Sequence, residues 1–551
     1  MKKNVLFKQF LLLLFVAVPA ILLSQNMEKQ IDQIMNDQYQ KENYGATVLV
    51  AKDGEVRYRK AFGKANVELD IDMIPENVFE IGSITKQFTA VGILMLLEEG
   101  KLSLDDEITK YIPDYPTQDT KITIHHLLTH TSGIKSYTSI PSLREFARKD
   151  LKVTELIDAF KNEPMDFKPG EEFRYNNSGY VLLGAIIEKV SGVSYEEFIQ
   201  ERIFNKLDMN TSYYGSKSKI IKNRAYGYQQ SENGYVNADY ISMTIPYAAG
   251  SIMSTVDDLL KWNTAVRNHE LISKKSLEKA FTNYTLNNGN NINYGYGWFL
   301  NSIKDVPIIE HGGGIFGFTT QGIYVPSENT YVIVLTNCDC DSPTETANKI
   351  AAIAIGKPYP KPADAIKLSN KELKKWVGAY KFEDGAIRVI TLKGNQLYSQ
   401  RTDSSAEFKI FPLSQHRFFF ENSFSEFIFS EGKQKEAIYK RNMSESKGIE
   451  TDAKLPEQKK EVQLSPATLK KYVGTYELAP NFFIEVTVNG NQIFAQATGQ
   501  SKFEMFAESE DNFFLKVVPA SVTFQIDEST KTPKSLTLHQ GGRSTVGKKV
   551  K

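Results

Sequence analysis

Cysteine is nearly missing from this chain: two among 551 residues, Cys338 and Cys340. That excludes a scaffold built on disulfides and a multi-cysteine metal cluster. The two stand one residue apart at the end of the apolar run "YVIVLTNCDC". A mutual disulfide there would be strained, so both are expected as buried small residues or free thiols. Charge of one sign is missing as well. Lys and Arg number 66 and Asp and Glu 66, which leaves no basic excess for nucleic acid. Beyond the first residues no apolar run approaches the about 20 residues of a membrane-spanning helix. No short solenoid period is present. What remains, 41% hydrophobic and 24% charged residues, is enough to bury cores in roughly two to four globular domains.

The opening "MKKNVLFKQFLLLLFVAVPAILLSQ" runs from Lys2 and Lys3 through an apolar stretch to Ser24 and Gln25. This is a secretory signal pattern, assigned to residues 1–24, and it places the mature protein in the periplasm or outside the cell. A retained anchor is the competing reading, but Leu11 to Leu23 is shorter than a spanning helix needs. No stable membrane anchor is expected after cleavage. Losing Lys2, Lys3 and Lys8 leaves 63 bases against 66 acids.

Residues 27–358 carry mixed patterns. "ATVLVAKDGEVRYRKAF" alternates around Asp53-Gly54, a hairpin signal. Strand patterns return in "NYGYGWFL", "GFTTQGIYV" and "TYVIVLTN", with a mostly helical stretch between. The fold class is therefore α+β: one antiparallel sheet made by both ends of the region, flanked by helices and a helical block. A Pro-rich linker at 359–367 follows. Then "LSNKELKKWVGAYKF" from Leu368 matches "LSPATLKKYVGTYEL" from Leu464, and "ITLKGNQLYSQ" from Ile390 matches "VTVNGNQIFAQ" from Val486, both 96 residues apart. The tail is two copies of one small β-rich domain, at 368–445 and 464–548, joined by a charged linker at 446–463.

"IGSITKQFTA" holds Ser83 and, three residues on, Lys86. Ser-x-x-Lys alone is weak, since Ser216 with Lys219 and Ser276 with Lys279 also match. Ser83, however, opens a predicted helix in which Ile84, Phe88, Val91, Leu94, Met95 and Leu97 keep one face, ending at Gly100. A lysine at i+3 stacks its amine beside the serine hydroxyl. The competing reading is Ser83 as an N-cap with Lys86 in solvent. In "FRYNNSGYVLLGAIIEKVSG", Tyr175 and Asn177 occupy a polar turn before an apolar helix. The rival Tyr235 with Asn237 reads as a loop. In "IIEHGGGIFGF", His311 precedes three glycines in a strand-like run, a composition that marks either close backbone approach or a plain turn. His126 and His130 have a spacing that could bind metal, yet no partner glutamate accompanies them, and a capped structural helix is expected.

Ser83-x-x-Lys86, Tyr175-x-Asn177 and His311-x-Gly313, in this order, resemble the serine penicillin-recognising hydrolases. The similarity is to class C β-lactamases, D-alanyl-D-alanine carboxypeptidases, D-aminopeptidases and related esterases. "ITIHHLLTHTSGI", "AAGSIMSTVDDLLKW" and "YGYGW" are also similar to that family. The tail repeats resemble the small lipocalin-like β-barrels that some members carry. The resemblance implies Ser83 as nucleophile of an acyl-enzyme, Lys86 or Tyr175 as its base, and Asn177 on the substrate amide. It also implies an oxyanion held by backbone N–H groups of Ser83 and Gly314, with no metal or cofactor. Where β-lactamases have Lys-Thr-Gly, this chain has His311-Gly312-Gly313. A neutral imidazole grips a substrate carboxylate less firmly than an ammonium, and His-x-Gly is more similar to the D-aminopeptidase and esterase branches. The expected substrate is a small peptide or amide with a D-residue, peptidoglycan-derived fragments included. A β-lactamase or carboxylesterase is the alternative, and a non-catalytic binding or sensor protein the alternative from another class.

Overall fold

A computed structural model describes residues 26–551 except 217, 232–233, 405, 422, 442–443, 455–460, 480–481, 499–501, 517, 519 and 541–542. The expected leader lies outside the described residues. The chain divides into two units, Met1–Tyr359 and Pro360–Lys551.

The first unit is built on a six-stranded antiparallel sheet. Its strands are β1 (Ala46–Lys52), β2 (Glu55–Phe62), β3 (Phe299–Ile303), β4 (Val306–Ile315), β5 (Phe318–Val325) and β6 (Thr330–Thr336), in the order β3-β4-β5-β6-β1-β2. The two ends of the region thus meet in one sheet, with β6 paired to β1. Asp53 and Gly54 turn the first hairpin at positive φ, 56° and 81°, the conformation a two-residue hairpin turn demands. Every residue of β6 is buried, so both sheet faces are covered, which explains a near-continuous apolar run instead of alternation. "NYGYGWFL" becomes strand only from Phe299. Before it, Gly297 at φ 88° bends the chain.

Helix α1 (Thr85–Glu98) does not present one apolar face as its spacing suggests. All residues from Thr85 to Leu96 are buried. Phe88 stacks on Trp262 with ring centroids 3.9 Å apart, and, one turn on, Gly92 lets Ile187 and Phe198 approach the backbone. The polar residues inside are paired: Gln87 Oε1 accepts from Trp262 Nε1 at 3.1 Å, and the Thr89 hydroxyl donates to Ala248 O at 2.6 Å. A helix enclosed on all sides carries no periodicity to read. Helix α2 (Asn177–Ser191) packs beside it. Tyr235 and Asn237, read as a loop, lie in a short strand, Gly234–Asn237, paired with Tyr228–Ser231.

Cys338 and Cys340 are joined, not free. The backbone bends after β6 and brings their Cα atoms to 5.1 Å, inside the usual disulfide range. Among the described residues no helix is long and apolar enough to cross a membrane.

The second unit holds two closed eight-stranded barrels. The first runs from Gly378–Phe382 to Ser444–Thr451, the second from Gly474–Ala479 to Arg543–Lys549. The repeat is visible bond by bond. Tyr380 donates to Trp376 O at 3.0 Å, and Tyr476, at the same offset, donates to Tyr472 O at 2.9 Å. Residues 446–451, assigned to the linker for their charge, instead form the strand that closes the first barrel. Lys447 and Ile449 sit on its solvent-facing side, with Gly448 buried between them.

Candidate active site

Residues Gly82–Ile84 make one turn of 3₁₀ helix that leads into α1. The Ser83 side chain caps neither element, which sets aside the N-cap reading. One turn on, Lys86 is 0% exposed. Its Nζ lies 3.0 Å from Ser83 Oγ, 2.8 Å from Asn177 Oδ1 and 2.8 Å from Ala249 O. None of these partners is an anion. Desolvation therefore holds the amine well below its ordinary value. The rival Lys219 is instead paired with exposed Glu196 at 3.0 Å.

Tyr175 and Asn177 arrive at the same place because Asn176 caps α2, accepting from Gly179 N at 2.8 Å. Asn177, the first helical residue, turns its amide both ways: Oδ1 accepts from Lys86, and Nδ2 donates to Thr138 Oγ1 at 3.0 Å. Tyr175 is half-buried, with its ring 4.4 Å from that of His130. Desolvation pushes its phenol above the ordinary range, and a hydrogen bond with Ser83 opposes that. The Tyr175 hydroxyl lies 3.5 Å from His311 Nε2.

His311 sits in a strand and not in a turn. On β4 it pairs with Gly322, and Gly313 pairs with Thr320. The imidazole is 2% exposed. Its Nδ1–H donates to Gly312 O at 2.5 Å, leaving Nε2 to accept from the Tyr294 hydroxyl at 3.2 Å. Burial, reinforced by Lys86 and opposed by the Gly312 carbonyl, lowers His311 to about 3, so the ring is neutral. The glycines let β4 close on the serine turn. A Cβ on Gly313 would fall inside contact distance of the Ile81 carbonyl oxygen, and one on Gly82, at φ 51°, would lie 2.9 Å from Gly314 N. Gly314 thereby lies beside the residue preceding Ser83.

Two cavities flank the nucleophile and share Ser83 and Gly314. One, of about 560 Å³, is lined also by Tyr175, Phe299 and His311. The other, of about 340 Å³, is lined by Tyr137, Leu143, Asn177 and Phe316. His126 and His130 are separated. The helix Ile124–Leu128 ends before His130, which stands at φ 58°. His126 Nδ1 accepts from Thr123 N at 3.2 Å and His130 Nδ1 from Asn176 N at 3.0 Å. Sequence reasoning missed Tyr294, the Ala249 carbonyl and Thr138. Tyr294 stood inside the quoted "YGYGW"; a backbone carbonyl has no side-chain signal.

The family model described as Beta-lactamase matches residues 25–356, and that of a domain of unknown function, DUF3471, matches residues 458–548. A curated penicillin-binding protein of Bacillus subtilis (strain 168) is 33% identical over 453 residues, 78% of this chain and 100% of that protein. The octameric penicillin-binding protein homologue from Pyrococcus abyssi superposes with TM-score 0.53 at 31% identity, covering 77% of this chain and 99% of that one. A D-stereospecific amidohydrolase from Streptomyces sp. gives TM-score 0.52 at 26% identity, covering 59% and 98%.

Proposed function

The chain belongs to the beta-lactamase family and is a serine hydrolase; from that premise we propose that it cleaves amide or peptide bonds beside a D-residue through an acyl-enzyme on Ser83, in the periplasm or outside the cell. The observation that carries the proposal is the Lys86 amine, buried among Ser83 Oγ, Asn177 Oδ1 and Ala249 O. A neutral amine has two N–H groups and one lone pair. The N–H groups go to Asn177 and Ala249, and the lone pair receives the Ser83 proton as Oγ bonds to the carbonyl carbon. The oxyanion falls to backbone N–H groups of Ser83 and Gly314. Tyr175, kept a phenol by burial, hands a proton to the departing amine and is reprotonated from Lys86. Water then attacks the acyl ester by the reverse route.

A neutral His311 leaves the larger cavity without a fixed cation for a substrate carboxylate. That favours a D-aminopeptidase or amidase over a D-Ala-D-Ala carboxypeptidase or a β-lactamase. The similar D-stereospecific amidohydrolase supports the same choice. Ester hydrolysis uses the same groups. Location is supported by the leader pattern and by the Cys338–Cys340 bond, which suits an oxidising compartment.

The test sets wild type against Ser83→Ala on D-aminoacyl p-nitroanilides, p-nitrophenyl acyl esters and a chromogenic cephalosporin. Turnover of the anilides by wild type alone is expected. Equal rates for both proteins on every substrate would overturn the nucleophile. A missing fluorophosphonate adduct on Ser83, read by intact mass, would favour a binding protein instead.

A further inference from the structure

The larger cavity carries a carboxylate that the proposed chemistry leaves unused. Glu310 stands on β4 immediately before His311 and lines the cavity together with Ser83 and Tyr175. It is 8% exposed. Its oxygens each accept one hydrogen bond from a neutral amide, Oε1 from Asn301 Nδ2 and Oε2 from Gln321 Nε2, both at 2.9 Å. Gln321 is held in turn by the Thr344 hydroxyl, which donates to its Oε1 at 2.9 Å. A carboxylate offers about four lone-pair sites, and these two amides fill two of them. Desolvation keeps its carboxyl above the ordinary range, opposed by the Asn301 hydrogen bond, and the Tyr359 phenol is close enough to feel its charge.

A buried carboxylate without a cation is costly unless something arrives to pair it. The strand leaves room for that arrival. Side chains alternate along β4, so Glu310, Gly312 and Gly314 share one face. The Gln321 side chain stands over Gly312 on that face, and the cavity runs past it and the Gly312–Gly314 backbone to reach Ser83. Four residues separate Gly314 from Glu310, roughly 13 Å at ~3.3 Å per residue. That exceeds the reach of an amine on the acylating residue itself. Tyr175, which lines this cavity but not the smaller one, puts the departing group on the same side.

We propose that Glu310 is the subsite for a primary ammonium carried by the leaving portion of the substrate, with Asn301 and Gln321 orienting the carboxylate toward it. The inference rests on acyl transfer at Ser83. It narrows the substrate to amides or esters whose departing fragment bears a cationic arm, such as a peptide fragment with a diamino-acid side chain.

Phenyl acetates with a para ω-aminoalkyl arm of two to four carbons, compared with their N-acetylated forms, test it. Wild type is expected to prefer the free amine about tenfold in kcat/KM at one arm length, mainly through KM. Glu310→Gln should bring the ratio toward one, and Glu310→Asp should keep part of it. A wild-type ratio of one at every arm length, which needs no variant to fold, would overturn the subsite, as would an undiminished ratio in Glu310→Gln. If wild type and Ser83→Ala hydrolyse neither ester form and Ser83 takes no phosphonate adduct, the hydrolase proposal falls and the subsite with it. Turnover without amine preference removes the subsite alone.

Discussion

Lys86 and Tyr175 are ionisable groups placed where neither ion is stable, and burial drives them in opposite chemical senses, the amine down and the phenol up. Both shifts favour the uncharged form, an amine base beside a phenol acid. Lys86→Met is expected to lower kcat/KM on activated esters by about 10²–10⁴-fold, the usual contribution of a positioned base, with the fluorophosphonate reaction at Ser83 slowed in parallel. Tyr175→Phe separates the two roles. A p-nitrophenolate leaves without a proton and a peptide amine does not, so the loss in kcat should be larger on amides than on p-nitrophenyl esters. Equal losses would remove Tyr175 as the acid. His311, lowered to about 3, makes a stability prediction. Unfolded imidazole titrates near 6.5, so between about 6.5 and 3 the unfolded chain binds the extra proton. The stability is complete above 6.5 and is lost as pH falls through that window. Urea unfolding of His311→Asn should show a slope smaller by up to one proton there, while His126 and His130, also lowered, keep part of the dependence in the variant.

At the scale of elements, the site depends on β4 lying against the turn that opens α1. Gly313 and Gly314 differ sharply in what a methyl group would meet, the Ile81 carbonyl and Thr320 hydroxyl for the first and nothing within 4 Å for the second. Gly313→Ala should push the strand away from Ser83, cost about 1–3 kcal/mol and abolish phosphonate labelling. Gly314→Ala should fold with nearly unchanged melting temperature. Comparable effects of both would mean that strand contact does not hold the nucleophile. The sequence showed where these elements begin better than what surrounds them. Asp53-Gly54 and the Asn176 cap are local signals, written in residues that few other conformations accept. The complete enclosure of α1 is not local, because it comes from Phe204, Trp262 and Ile187, far away along the chain.

At the scale of the molecule, the hydrolase unit and each barrel have separate apolar cores. Residues 360–551 expressed alone are expected to fold, with a strand-rich far-UV spectrum and cooperative melting. An unfolded spectrum would show that the barrels depend on the first unit. The repeat was legible because each copy carries its own core and its own Tyr-to-backbone bond. The barrel's closing strand at 446–451 was not, since a charged strand with a single buried position, Gly448, shares its composition with a linker. By itself the sequence determined the three motif sets and their order, the two-ended sheet and the duplicated tail. Each rests on spacing or pattern within a short stretch. Only the tertiary structure decided that Ser83, Lys86, Tyr175, Asn177 and His311 meet, that Lys86 has uncharged partners only, and that Cys338 bonds Cys340. It alone brought Tyr294 and Ala249 into the site and left Glu310 open to the cavity. Those outcomes are distances and desolvation between segments up to hundreds of residues apart, and no local pattern encodes them.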